Sequence, residues 1–355
     1  RNKNKLEALK SELNLDCDIF VADSDDYEAI KNFVKQTKVV LSAAGPFARY
    51  STKVVEACVE CKTHYTDITG ENHWVKGLID RFHEKAALDG TRIVPSCGYD
   101  SIPSDLGVYF SVTRSNQPVN HVTVYHSAKG GASGGTTETM FTMGPLPKEM
   151  RDPFLLNPKD SVSETQKRKS LDNFSVKPIP GTDAFSGMGL MAFANTRVVR
   201  RSSALFDLNQ KSYGPDFTFK ELGSYPSKAA ARITSFVLMS AFLVIATPLR
   251  YLVRPLLPKP GDGPDKEARD NGWFRGLFIA ELEDGSEKRF EIYGSGDPGY
   301  KSTSKMVCEA ALTLAFSDDL PFGNEFGGVL TSAVGLGDPL ISRLMKAGIT
   351  FEALS

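Results

Sequence analysis

The chain has 355 residues, enough for two packed cores, with 41% hydrophobic and 24% charged residues, the balance of an ordinary folded protein. Lys and Arg number 42 against 43 Asp and Glu, a net charge of -1, so no basic field points to nucleic acid. The cysteines Cys17, Cys58, Cys61, Cys97 and Cys308 are odd in number and scattered, which argues against a disulfide framework and for reduced thiols inside a cell.

The chain opens Arg1-Asn2-Lys3-Asn4-Lys5, with no initiator Met and no apolar signal region. It reads as a fragment whose front is missing, so targeting signals cannot be judged from it. Lys3 to Leu13 is predicted as a helix with Leu6, Leu9 and Leu13 on one stripe. Cys17 to Ala22 is predicted as a short strand ending at Asp23, followed by a helix over Asp25 to Gln36. Lys38 to Ala44 reads as a buried strand closed by Gly45-Pro46, Ser51 to Cys61 as a helix, and His64 to Ile68 as a strand. A helix over Trp74 to Leu88 and a strand over Arg92 to Pro95 complete the pattern. Strands alternating with helices of this length imply crossover units and a parallel sheet.

Beyond residue 107 the pattern changes. Val119 to Ser127 alternates like a strand with one exposed face, and Gly130 to Gly135 is a glycine-rich loop leading into Thr136 to Met143. The stretch 145–183, rich in Pro, Lys, Asp and Ser, reads as a long loop or lid. Trp273 to Tyr293 suggests two strands around Asp284-Gly285. Lys301 to Phe316 and Leu340 to Lys346 are helical. The expected fold class is α/β, a Rossmann-type doubly wound parallel sheet lacking its first strand and glycine-rich loop, with a second α+β domain. Residues 1–107 would form the nucleotide domain, 108–299 the second domain, and 300–355 would pack back on the first.

One segment stands apart. Ile233 to Leu249 carries no charge and is flanked by Arg232 and Arg250. Its 17 or so residues make roughly 25 Å of helix, short of a ~30 Å hydrocarbon core, and Pro248 stops it. It is apolar on nearly all faces, and the following Arg250, Arg254 and Lys259 are mixed with Tyr251, Leu252, Val253, Leu256 and Leu257. That mixture suits attachment to a lipid surface through 233–257, the alternatives being a core helix and a full span.

Ligands of a doubly wound sheet sit at the carboxyl ends of its strands. Those ends are Asp23, the turn Ala43-Ala44-Gly45-Pro46-Phe47, Asp67 to Gly70, and Ser96-Cys97-Gly98. Small residues there let a ribose or nicotinamide approach the backbone, and Asp23 is placed to accept from an adenine amino group. Taken singly they are equally well strand-ending turns. No G-x-G-x-x-G follows a strand within residues 1–107, so the pyrophosphate cradle is not in that part of the sequence. Arg1, with Lys3 and Lys5, would stand where a cation suits the 2′-phosphate of NADP, with NAD the alternative cofactor; the competing reading is a solvated start to a helix.

The blocks LSAAGPFARYSTKVVEACVECKTHYTDITGE and HEKAALDGTRIVPSCGYDSIPSDLGVYF, with the tail GGVLTSAVGLGDPLISRLMKAGITFEAL, resemble the saccharopine dehydrogenase-like oxidoreductases, a family that includes the trans-acting enoyl reductases. The similarity runs over almost the whole chain. It implies a Rossmann-type domain binding NAD(P), a glycine-rich loop upstream of Arg1, a second α+β domain and, in eukaryotic members, association with membranes or lipid droplets inside the cell.

Cys97 to Asp105 lies where a strand would deliver side chains to the nicotinamide edge. Tyr99 is a candidate proton donor, and Asp100 a candidate to orient it or to bind a cationic substrate. The structural alternative has Asp100 or Ser101 capping the next helix, with Pro103 in its first turn. Gly131-Ala132-Ser133-Gly134-Gly135 matches a nucleophile elbow, but every His (64, 73, 83, 121, 126) precedes Ser133, against the order a hydrolase needs. Cys58 and Cys61 lack the second close pair a zinc site requires, and no metal site is expected. Two functions remain: hydride transfer between NADP(H) and a small-molecule or lipid-linked substrate, or a membrane-tethered nucleotide-binding protein without catalysis. A homodimer is compatible with either.

Overall fold

The computed structural model describes residues 2–130, 151–172, 174–254 and 263–354. Arg1, the elbow-like segment 131–135 with the helix expected over Thr136 to Met143, and Leu256, Leu257 and Lys259 lie outside these residues.

Helix α1 (Lys3–Glu12) starts at Asn2, whose side-chain oxygen accepts from the Lys5 N–H. Its leucine stripe does not enter a core: Leu6, Leu9 and Leu13 are exposed, and no residue of the helix is buried. The strand expected at Cys17 to Ala22 is also absent. Phe20 and Val21 are exposed there and no ladder partner lies alongside among the described residues; an apolar run becomes a strand only with a neighbour to take its N–H and C=O groups. Helix α2 (Tyr27–Val34) is capped by Asp26.

The expected alternation then follows as β1 (Val39–Ser42), the short turn α3 (Phe47–Tyr50), α4 (Thr52–Cys61), β2 (His64–Asp67), α5 (Asn72–Leu88), β3 (Arg92–Val94) and α6 (Ile102–Thr113). Strands β1, β2 and β3 pair in parallel, placing Val40 beside Tyr65 and Tyr65 beside Ile93 on one face. That face packs on Val55, Cys58 and Val59 of α4 and on Trp74, Val75 and Leu78 of α5.

A mixed six-stranded sheet follows, in the order β10-β8-β7-β4-β6-β5. It is built from β4 (Val119–Lys129), the helix α7 (Glu164–Lys169) outside it, β5 (Phe185–Gly187), α8 (Ala192–Leu208), β6 (Thr218–Tyr225), α9 (Lys228–Ile245), α10 (Arg250–Val253), α11 (Lys266–Asp270), β7 (Trp273–Leu282) and β8 (Glu287–Ser295). The β7–β8 hairpin turns at Asp284-Gly285, with Gly285 at φ +83 and Asp284 accepting from the Ser286 N–H. Helix α6 lies on β7 and β8 and closes on them because residue 107 is Gly: a Cβ there would stand 2.1 Å from the Phe278 ring. The boundary expected at 107 therefore falls inside helix α6, whose Ile102, Leu106 and Val108 lie in the core beneath the second sheet.

The tail also divides. After a π-helical turn (Pro298–Ser302), α12 (Thr303–Phe316) packs on β1 and β2, and β9 (Gly328–Val329) extends the parallel sheet beside β3. Helices α13 (Ser332–Gly335) and α14 (Gly337–Lys346) follow, and β10 (Ile349–Leu354) pairs antiparallel with β8 in the other sheet. Residues 300–355 thus stitch both sheets rather than returning to the first alone. Buried arginines lock the stitch: Arg92 donates to the carbonyls of Gly335, Pro321 and Gly323, and Arg201 to those of Leu156 and Val329.

Helix α9 is the apolar segment, and it is not core. Its single buried residue is Ala231, while Ile233, Phe236, Val237, Met239 and Leu243 are exposed.

Replacing Gly107 with Ala should force α6 off β7 and β8, at a cost of about 1–3 kcal/mol read as a lower midpoint in urea unfolding.

Candidate functional site

The carboxyl ends of β1, β2 and β3 lie side by side, and at ~4.8 Å per strand they span about 10 Å. Each is turned by a buried acid. Asp67, ending β2, accepts from Thr69 N–H at 3.0 Å, Ser96 N–H at 2.9 Å and the Tyr65 hydroxyl at 2.9 Å. Burial pushes it up to about 7 against these donors. Its grip holds Ser96 at φ +63, a left-handed backbone that a non-glycine residue adopts at a cost, so the chain turns sharply after β3. Glu71 holds the β1 turn from the side: Oε1 accepts from Phe47 N–H at 2.7 Å and Oε2 from Ala48 N–H at 3.0 Å.

Gly98 and Tyr99 are pinned against α12. The Tyr99 N–H donates to Thr303 Oγ1 at 3.1 Å, and a Cβ on Gly98 would stand 3.3 Å from both Ile68 and Thr303. The Tyr99 ring lies 5.1 Å from Phe274, edge on, and burial holds its phenol well above the ordinary range. Asp100 follows, half-buried, with no hydrogen bond or ion pair among the described residues. A methyl group on Gly70 would stand 3.8 Å from Asp100 Oδ2 and 3.6 Å from Met191 Cε, so this carboxyl faces the end of β2 and the start of α8. Burial pushes it up to about 6.

The capping role expected for Asp100 or Ser101 is not taken. Ser101 occupies the cap position of α6 without a side-chain bond to the helix, and its hydroxyl donates to Asn195 Oδ1 at 3.1 Å. Pro103 does stand in the first turn. The N-terminus of α6 is therefore shaped by a polar network leading to Asn195 and Glu221, and Asp100 is left facing the strand ends.

Of the residues expected at the cofactor, Ala43, Ala44 and Gly45 are exposed at the end of β1 and Pro46 follows in a cis peptide bond. Phe47 is different: its side chain is buried, 5.9 Å from Trp74, so it serves the core and gives the turn only its N–H. Asp23 is exposed, and Oδ1 accepts from Asp25 N–H at 2.9 Å, a local turn before α2. Small exposed side chains ending β1 beside Gly70 and Gly98 fit a flat ring and a ribose. The N–H groups of Phe47 and Ala48, already bonded to Glu71, do not fit a phosphate. Sequence reasoning missed Glu71, Met191, Asn195 and Glu221. The Glu71 signal was readable, an acid four residues past the end of β2, while the other three come together only through the second sheet.

Residues 1–94 match the saccharopine dehydrogenase NADP-binding domain family. A protein of Mycobacterium tuberculosis provisionally named a trans-acting enoyl reductase is 34% identical over 94% of this chain and 84% of its own length. The trans-acting enoyl reductase of Mycobacterium ulcerans is 31% identical over 99% of this chain and 90% of its own. In fold, the chain is similar to apo saccharopine dehydrogenase (L-Glu forming) from Saccharomyces cerevisiae, with a TM-score of 0.53 at 13% identity, covering 100% of this chain and 93% of that one.

Replacing Glu71 with Ala should release the Phe47 and Ala48 amides. Their hydrogen exchange is expected to speed up ~10–100-fold, the worth of a hydrogen bond to a charged acceptor, with amides of β2 and β3 unchanged.

Proposed function

The chain belongs to the saccharopine dehydrogenase-like oxidoreductases, the NADP-dependent family of the trans-acting enoyl reductases, and on that footing we propose that it reduces a lipid-linked substrate presented at a membrane or lipid-droplet surface, with Asp100 supplying the proton. Bound NADPH supplies a hydride. In the enoyl reading carried over from the relatives, one carbon of a conjugated double bond takes that hydride and its neighbour takes a proton, so a neutral acid must stand close by. The Asp100 carboxyl carries this reading. It is half-buried, faces Gly70 at the strand ends, has no partner among the described residues, and is held up to about 6 by burial. Tyr99 gives up its proton less readily, since burial raises its phenol and the Phe274 ring lies against it. It would act as the wall that keeps water from Asp100.

The lipid part rests on where α9 lies. The Met188 N–H donates to Ser235 Oγ of α9 at 2.9 Å, and Phe193 of α8 stands 6.0 Å from Phe242 of α9. Met191, between those two anchors, is the residue beside Gly70 and Asp100. Leu190 and Phe193, both exposed and flanking Met191 in the chain, would offer an acyl chain a route from α9 to the rim of the site. Arg232, Arg250 and Arg254 flank the exposed apolar residues, and cations with apolar stems suit an anionic interface.

With NADPH and an enoyl lipid in liposomes, the reduction rate should fall about tenfold per pH unit above about 6, as Asp100 ionises. Asp100→Asn should lower kcat/KM by ~10²–10⁴-fold and remove that slope while NADPH binding persists. An unchanged rate in this variant means that Asp100 is not the donor.

Changing the exposed Phe236, Val237 and Leu243 together to Ser should release the protein from anionic liposomes in flotation and leave its unfolding temperature unchanged. Wild-type protein that never floats with lipid would sink the surface reading.

A further inference from the structure

Glu221 on β6 is buried and stands in the middle of a polar cluster that proton donation by Asp100 does not itself require. Ser104 Oγ donates to its Oε2 at 2.7 Å, and Asn195 Nδ2 donates to its Oε1 at 3.0 Å. His126 Nε2, from β4, lies 3.8 Å from the same Oε2 and 2.9 Å from Ser104 Oγ. One hydroxyl, with one proton, therefore stands between a carboxyl and an imidazole. No Lys or Arg among the described residues pairs with Glu221. The far nitrogen of the ring, His126 Nδ1, is buried and makes no hydrogen bond of good geometry among the described residues, though the Arg275 backbone lies close enough to the ring to favour a proton on it.

We infer that Glu221, Ser104 and His126 form a proton relay that loads one proton onto Glu221 and so sets the charge in the neighbourhood of Asp100. The inference rests on Asp100 as the proton donor proposed above. In one state Glu221 is ionised, the Ser104 hydroxyl donates to Oε2, His126 Nε2–H donates to Ser104 Oγ, and Nδ1 is bare. A proton arriving at Nδ1 lets Nε2 pass its own to Ser104 as Ser104 passes its proton to Glu221. In the second state Glu221 is neutral and donates to Ser104, Ser104 donates to Nε2, and the ring carries its proton on Nδ1. One proton enters, the carboxylate is neutralised, and the imidazole is neutral before and after.

The surroundings favour this division of labour. Burial pushes Glu221 up to about 7, and the nearby Asp100 carboxylate adds to it. The groups facing Glu221 are His126 from β4, Asp100 and Tyr99 from the turn before α6, and the neutral Ser104 and Asn195. Burial presses His126 down to about 4, so near neutral pH the ring does not charge and the acid titrates in its place. Gly276 leaves room at the outer nitrogen, where a Cβ would stand 3.2 Å from Nδ1.

The relay has a signature that a static structural cluster lacks. Because His126 hands its proton from one nitrogen to the other as Glu221 titrates, its neutral tautomer must depend on pH. In nitrogen NMR of the full chain labelled at histidine, without cofactor, the His126 proton should sit on Nδ1 at low pH and on Nε2 at high pH. The midpoint is expected near about 7. Glu221→Gln should remove the switch, and Ser104→Ala should remove it by taking away the bridge. A wild-type tautomer that stays the same from about pH 5 to about pH 9 overturns the relay, as does an unchanged switch in both variants. The Asp100→Asn rate measurement separates the two readings: full activity there removes the donor, whereas the tautomer of His126 decides the relay by itself.

Discussion

Asp105, buried on α6, has its oxygens bonded to two other helices. Oδ1 accepts from the Ser202 hydroxyl of α8, and Oδ2 from the Ser332 hydroxyl and the Ala333 N–H of α13, each at 2.8 Å. Ser202 in turn lies 2.6 Å from the Thr331 hydroxyl. A buried carboxyl costs several kcal/mol unless its oxygens are satisfied, so α6, α8 and α13 must reach their positions together. The start of α6 carries Asp100, Ser101 and Ser104, and α8 carries Asn195. The geometry of the site is therefore set one helical turn away from it, by a residue that touches none of the chemistry.

The arginines solve a related problem. Arg92 and Arg201 are buried without a carboxylate partner among the described residues and spend their N–H groups on backbone carbonyls of the turn at Pro321 and Gly323, of Leu156, and of the ends of β9 and α13. Burial lowers them to about 10 and about 9, so each still carries its charge at neutral pH. The planar fork suits this use, because several carbonyls can be reached from one fixed group.

Much of the parallel sheet was legible because its cause is local. Val39–Ser42, His64–Asp67 and Arg92–Val94 are short runs rich in β-branched and aromatic residues followed by turn residues, and the helices between them carry their own periodicity. What escaped depends on distant partners. Gly328–Val329 is a strand only because β3 lies beside it. Helix α8 is rich in Arg, Ser and Asn, which reads as surface, yet these side chains are buried because Asp105, Asp172 and a set of carbonyls receive them. The same holds for the site. Asp100 and Gly98 stood out from their place after a strand, whereas Glu221 and Asn195 are ordinary polar residues until the second sheet carries them to α6. Conversely, the stripe Leu6, Leu9 and Leu13 was read correctly as a helix, and its burial did not follow, since periodicity fixes a face and not what covers it.

The tail that joins both sheets governs the order in which this chain can finish folding. Ile93, paired with Tyr65 on one side, finds its second ladder partner at Val329, and β8 finds its outer neighbour at Ile349–Leu354. During synthesis the first strands and their helices must wait, with the edge of β3 unpaired and Asp105 lacking Ser332 and Ala333, until residues 328–333 have been added. Loss of the segment from Gly328 to Leu354 would therefore strike the first sheet and the second sheet at once, and would leave an open strand edge available for pairing with other chains.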